Sequence, residues 1–155
     1  MKRIAFVLLA AFLVTSIAPA SSEKGKVGIG IVVGAPTGLS MKFWQNQRVA
    51  FQGVIGGMYK GGLMLGADYL VHERALKDPN MPFYYGAGVF MGDAGFGGPD
   101  VGRGSVAFGV RGVFGVDYLV PDHPFDVAIE LGPALLLSPQ LGMGIELSVA
   151  FRFYP

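Results

Sequence analysis

Residues 141–155 read "LGMGIELSVAFRFYP". Taking every second residue gives Leu141, Met143, Ile145, Leu147, Val149, Phe151 and Phe153 on one side. The alternate positions are Gly142, Gly144, Glu146, Ser148, Ala150, Arg152 and Tyr154. A wholly apolar set thus faces a set of small residues with one carboxylate and one guanidinium. Sorting with period two argues a β-strand and excludes a helix, whose period is 3.6. Which of the two faces points inward decides the solvent of the whole protein.

The rest of the chain is cut by glycine and proline into further segments that sort the same way, about eight in all. "SVAFGVRGVFGVDYLV" sets Val106, Phe108, Val110, Phe114, Val116 and Tyr118 against Ala107, Gly109, Arg111, Gly115 and Asp117. "FDVAIELGPALLL" sets Phe125, Val127, Ile129, Leu131, Leu135 and Leu137 against Asp126, Ala128, Glu130, Gly132 and Ala134. Leu39, Met41 and Phe43 oppose Ser40, Lys42 and Trp44, and Leu63, Leu65, Tyr69 and Val71 oppose Gly66, Asp68 and His72. No segment keeps a helical period, and 25 glycines are poor company for helices.

Composition narrows the environment. The chain is 155 residues long, 52% hydrophobic and only 15% charged, and it has no cysteine. That length suits one domain, and the absence of cysteine excludes a disulfide framework or an acylated lipoprotein. The formal charge of +1 falls to −1 without Lys2 and Arg3, so no nucleic-acid partner is expected. Residues 1–20 read as a secretory signal peptide: Lys2 and Arg3, the apolar "IAFVLLAAFLV", then "APA" before a cut after Ala20. Residues 21–155 form the expected domain, and nothing after residue 20 is an apolar run long enough for a spanning helix.

Two magnitudes orient the strands. The interior of an eight-stranded barrel is only just wide enough for side chains, so Leu, Ile and Phe from every strand would overfill it. A water-facing exterior needs dense charge, whereas the small-residue face here offers about one charge per strand. The expectation is an all-β, eight-stranded antiparallel up-and-down transmembrane β-barrel with its large apolar face in lipid. A soluble lipocalin-like carrier, with the large apolar face turned inward, is the alternative. With the amino terminus on the periplasmic side, Phe43, Phe51, Tyr69, Phe83, Tyr85, Tyr118, Phe125, Phe151 and Phe153 collect at one end, with Tyr59 and Phe90 at the other. A girdle of rings at one level fits a membrane interface.

Charges inside such a barrel need partners. The expected lumen network comprises the cations Lys42, Arg111 and Arg152 and the carboxylates Asp68, Asp117, Asp126, Glu130 and Glu146. If "SPQ" closes a tight hairpin, Asp126 and Arg152 face each other across neighbouring strands. The excess of carboxylates calls for protonation or hydration. The network is read as structural, with a gating role for Arg111, Glu130 and Glu146 if the protein is a narrow ion or solute channel.

"VGIGIVVGAPTGLSMKFW", "LMLGADYLVHE", "FYYGAGVF", "FDVAIELGPALLLSP" and "GIELSVAFRFYP" together resemble the small outer-membrane β-barrel proteins grouped as a family of unknown function, described from spirochaetes and OmpA-like in fold. The resemblance spans nearly all of residues 21–155, and its most specific piece is the G-x-P-T-G-L-S turn. It implies fold and the outer membrane of a diderm bacterium, with no catalytic residues or ligand. Outer-membrane lipid and the barrel-assembly machinery, reading the last strand, are the partners it implies, and the expected state is a monomer. In this chain Pro155 follows the terminal aromatic Tyr154, and Pro133 lies within a strand, where a bulge or a break in pairing is expected at Gly132–Pro133.

Other motifs carry less. "GIGIVVG" lacks the strand before and helix after that a dinucleotide loop requires. Small outer-membrane barrels include lipid A hydrolases that use histidine near the outer leaflet, but His72 and His123 fall at the periplasmic end, so no enzyme is expected. Asp93 and Asp100 in "DAGFGGPDVGRG" match no calcium loop, and neither metal nor cofactor is expected. Trp44 reads as an anchor at the interface or at the end of the lumen. The short turns "APTG", "KGG" and "SPQ" leave little outside surface for an adhesin.

Overall fold

The chain's structure is a computed structural model that describes residues 26–57, 62–74, 78–93 and 106–155. The expected signal peptide and its cleavage point lie outside the described residues, as do Tyr59 and most of the Gly/Asp-rich loop.

Eight strands follow one another: β1 (Val27–Gly34), β2 (Thr37–Trp44), β3 (Val49–Gly57), β4 (Leu63–Glu73), β5 (Phe83–Asp93), β6 (Val106–Leu119), β7 (Phe125–Ser138) and β8 (Gly142–Phe153). Each pairs antiparallel with its neighbour in sequence, and β8 pairs antiparallel with β1, closing an eight-stranded barrel. No helix occurs among the described residues. Closure removes sheet edges wherever the strands overlap, the standing hazard of an all-β fold.

On β2, β4, β6, β7 and β8, the strands whose faces the sequence sorts, burial alternates in the phase read there, except that Gly144 on the inward side of β8 is exposed. On β8, Glu146, Ser148, Ala150 and Arg152 are buried while Leu147, Phe151 and Phe153 are exposed. On β7, Asp126, Ala128, Glu130 and Ala134 are buried and Ile129, Leu131 and Leu135 exposed. The large apolar face therefore points away from the barrel interior on all sides. The interior is more apolar than glycine and charge alone would make it. Val32, Val54, Leu70, Tyr84 and Val113 pack with Ala128 and Ala150 at mid-barrel. Met64, Phe90 and Leu136 pack with Ala107 and Ala134 nearer one mouth, and Trp44, Ala50 and Tyr154 nearer the other.

Glycines make room for the rings in that interior. Gly109 faces Phe90 across the β5–β6 ladder, and a Cβ there would lie 2.5 Å from the ring. Gly115 faces Tyr84 in the same way, and a Cβ on Gly28 would lie 2.5 Å from Tyr154. Phe90 lies at the far end, as the sequence reading has it, and its ring points into the interior. Its counterpart glycine, invisible without the register, is what admits it.

The outward rings gather as expected. Phe43, Phe51 and Tyr69 stand in one cross-strand row, and Phe51 meets Tyr69 edge-on with centroids 5.5 Å apart. Phe125 and Phe153 pair at 5.2 Å and Phe83 lies 6.3 Å from Tyr85. This end, which also holds the start of β1 and the end of β8, is called the girdled end below, and the opposite mouth is called the rim. Phe108 also points outward, near the rim.

Local chemistry explains two features of the wall. At the β1–β2 turn, Gly34 takes φ 132°, a region open to glycine, and its N–H donates to Thr37 Oγ1 at 3.0 Å while that hydroxyl donates to the Gly34 carbonyl at 2.8 Å. In β7, pairing with β6 is interrupted between Leu131 and Ala134, as the proline required. Pro133 lacks the N–H that its position would aim at β6. The one register shift of that ladder lies at Phe108/Gly109 instead.

Candidate functional site: the ionic lumen

Three cations and five carboxylates stand inside the barrel wall. Lys42, Arg111 and Arg152 are buried, as are Asp68, Asp117, Asp126, Glu130 and Glu146. Inward parity on β2, β4, β6, β7 and β8 puts them there, and closure brings strands distant in sequence within reach.

Arg152 is the hub. Its register partner on β7 is Asp126, as the short "SPQ" hairpin dictates, and Nη1 lies 3.5 Å from Asp126 Oδ1 and 3.6 Å from Asp117 Oδ1. Nη2 donates to Glu130 Oε1 at 2.9 Å and to Gln52 Oε1 at 2.5 Å, and Nε donates to Ser40 Oγ at 3.1 Å. A guanidinium with every nitrogen engaged is a fixed part of the interior.

Arg111 forms a second hub toward the rim. It grips Asp68 with two parallel bonds, Nε to Oδ1 at 2.7 Å and Nη2 to Oδ2 at 2.5 Å, and Nη1 donates to Glu146 Oε2 at 2.9 Å. Asp68 and Arg111 sit on β4 and β6, with Gly88 of β5 between them in register. A Cβ on Gly88 would lie 2.0 Å from Asp68 Oδ1, so the pair reaches across β5 because glycine stands there. Gln52 links the hubs, donating from Nε2 to Glu130 Oε2 at 3.0 Å and toward Asp68 Oδ2 at 3.5 Å.

At the girdled end, Lys42 pairs with Asp117 across the lumen. The Lys42 ammonium sits 4.7 Å from the ring centroids of both Trp44 and Tyr84. His72 packs between the same two rings, and its Nε2 lies 3.2 Å from Asp117 Oδ2. Trp44 Nε1 donates to Tyr154 Oη at 3.3 Å, and the Tyr154 hydroxyl donates to Asp126 Oδ2 at 2.5 Å. Tyr84 donates to Glu130 Oε1 at 2.7 Å. One hydrogen-bonded chain therefore runs from Trp44 through Tyr154, Asp126, Arg152, Glu130, Gln52, Asp68 and Arg111 to Glu146.

The sequence reading names the eight charges and leaves out five polar members of the lumen network: Ser40, Gln52, His72, Tyr84 and Tyr154. Ser40 and His72 already carried inward parity there, and Tyr154 shares the parity of Arg152. What joins them is contact across the lumen, which strand patterning does not encode. Trp44 takes the lumen-end position of its two expected places.

A cavity of about 10 Å³ lies between Val32, Val54 and Val113 on one side and Arg111, Glu130, Glu146 and Ser148 on the other. That is the volume of about one water. Glu146 Oε1 has no hydrogen-bond partner there, although Oε2 is taken. Among the described residues no group of three or more His, Asp or Glu side chains is placed to hold a metal ion. No family model, curated protein or solved structure matches the chain.

Proposed function

We propose that the protein is an integral outer-membrane β-barrel of a diderm bacterium, with a structural or accessory role and a lumen plugged by ion pairs. Its outward apolar face, ringed at one end by aromatic side chains, suits acyl chains and a bilayer interface. The family relationship to OmpA-like spirochaete barrels belongs to the same reading and rests on the segments quoted above. The observation that carries the plugged lumen is the continuous chain of hydrogen bonds from Trp44 to Glu146 beside a cavity of about 10 Å³. It also disfavours a soluble carrier, which needs room for a ligand.

Planar-bilayer recording on the refolded protein tests this directly. The plugged barrel gives no steady unitary conductance. The channel reading draws support from the unpartnered Glu146 Oε1 and the carboxylate excess. Steady currents that disappear in Glu130→Ala or Glu146→Ala would establish it and end the structural one. Heat-modifiable gel mobility and a requirement for detergent separate both from a soluble barrel.

A further inference from the structure

The barrel wall is not equally tall. β6 and β7 have 14 residues and β8 has 12, whereas β1 and β2 have 8 each. The β1–β8 ladder accordingly stops at Gly34↔Ser148, followed by one bond from Ala35 N–H to the Leu147 carbonyl at 2.9 Å. Beyond it β8 continues to Gly142 with β7 on one side and no described strand on the other.

Strand parity says what that edge presents. In an antiparallel ladder each residue sends its N–H and C=O to the same side. Leu147 sends its carbonyl to the β1 side, so Ile145 and Met143, in step with it, aim both backbone groups into the gap. Among the described residues Leu141, Met143 and Ile145 are also the most exposed large apolar side chains, at 79%, 90% and 78%. On the inner face the gap borders Glu146, whose buried Oε1 lacks a donor. Extending the β1–β8 register would put residue 36 opposite Glu146, but that residue is Pro36, where the chain has already turned.

We infer that the rim half of β8 accepts a strand from a second, different polypeptide, laid antiparallel in line with β1. The inference rests on the membrane reading. Phe151 to Ile145 spans about 20 Å of strand at about 3.3 Å per residue, or about 15 Å of height at a tilt of 35–45°. The edge therefore lies within an apolar band about 25 Å tall, where unpaired backbone costs several kcal/mol and acyl chains offer no hydrogen bonds. Only a polypeptide strand supplies donors and acceptors at the two-residue repeat. A second copy does not fit: two barrels inserted the same way run their β8 strands in the same vertical sense, so antiparallel pairing would invert one of them. Pairing parallel through the same edge would swap the inner and outer faces of one wall. The incoming strand needs apolar side chains outward, flush with Met143 and Ile145. Inward it needs a hydroxyl or other donor beside Glu146 Oε1, where Gly144 leaves room, since a Cβ on it would meet nothing within 4 Å.

A synthetic peptide of alternating valine and threonine, added to the barrel in lipid nanodiscs, is the probe. The expected result is a saturable downfield shift of the Met143 and Ile145 amide protons, read by NMR, with those of Gly142 and Gly144, which bond to β7, unmoved. Ile145→Pro and Met143→Pro each delete an edge-facing N–H while leaving the β7 side intact, and both should abolish the shift at the remaining edge amide. Amide protons that stay in place at saturating peptide overturn the inference, as do edge amides already hydrogen-bonded before peptide is added or self-association of the barrel in sedimentation. Should a proline variant misfold, the wild-type comparison decides by itself. A chain that never enters the nanodisc fails the membrane reading instead, so the two failures are distinguishable.

Discussion

The two mouths of the barrel are built from the same alternation yet differ in how completely it is satisfied. At the girdled end every strand has neighbours on both sides, rings lie against rings outside, and Arg152, Asp117, Asp126 and Tyr154 lock the interior. At the rim β8 outruns β1 and a Cβ on Gly144 would meet nothing within 4 Å, while each end holds one buried carboxylate oxygen without a hydrogen-bond partner, Asp117 Oδ1 at the girdled end and Glu146 Oε1 at the rim. Strand length, not side-chain patterning, makes the difference. The girdled end carries stability, and the rim keeps unused bonding capacity.

Substitutions should report that contrast. Arg152→Met leaves Asp126, Glu130 and Asp117 without their shared cation, and removing one partner of a buried pair costs about 3–5 kcal/mol. Urea titration in lipid vesicles should show that loss, and an unchanged midpoint would mean the network is ornamental to folding. Leu70→Ala opens the mid-barrel core and should cost about 2–5 kcal/mol, while Ile145→Ala at the rim should stay within about 0.5 kcal/mol. Equal effects would erase the distinction between the two regions. Gly30→Ala drives a Cβ to within 1.7 Å of the Phe151 carbonyl and should cost about 1–3 kcal/mol or more, against a near-silent Gly144→Ala. The smallest effect belongs to Arg48→Ala, whose ion pair with Glu73 is solvent-exposed. It should change stability by less than about 0.5 kcal/mol and so show that the girdled end draws strength from its buried charges and not its surface ones.

The readable part of this fold is the part with period two. The inward and outward sets on β2, β4, β6, β7 and β8 follow from residue order alone, and so does Asp126 opposite Arg152, because a short hairpin fixes register. Lys42 with Asp117 and Asp68 with Arg111 were not legible as pairs. The first joins β2 to β6 across the lumen, and the second depends on Gly88 standing between β4 and β6. The same holds for Phe90, whose end of the barrel was legible but whose fit opposite Gly109 was not. Pro133 was legible as a defect but not its form: the missing N–H interrupts the ladder without shifting it, and the shift falls at Phe108/Gly109.

The natural sequence contains no cysteine, so single cysteines can be walked along β8 without background. Spin labels placed in turn at residues 147–152 of the barrel in lipid bilayers report collision with dissolved oxygen, which concentrates among acyl chains. High collision at Leu147, Val149 and Phe151 alternating with low collision at Ser148, Ala150 and Arg152 is the result expected of an apolar face in lipid. A flat profile, or a folded, monodisperse barrel in buffer without lipid or detergent, would contradict it.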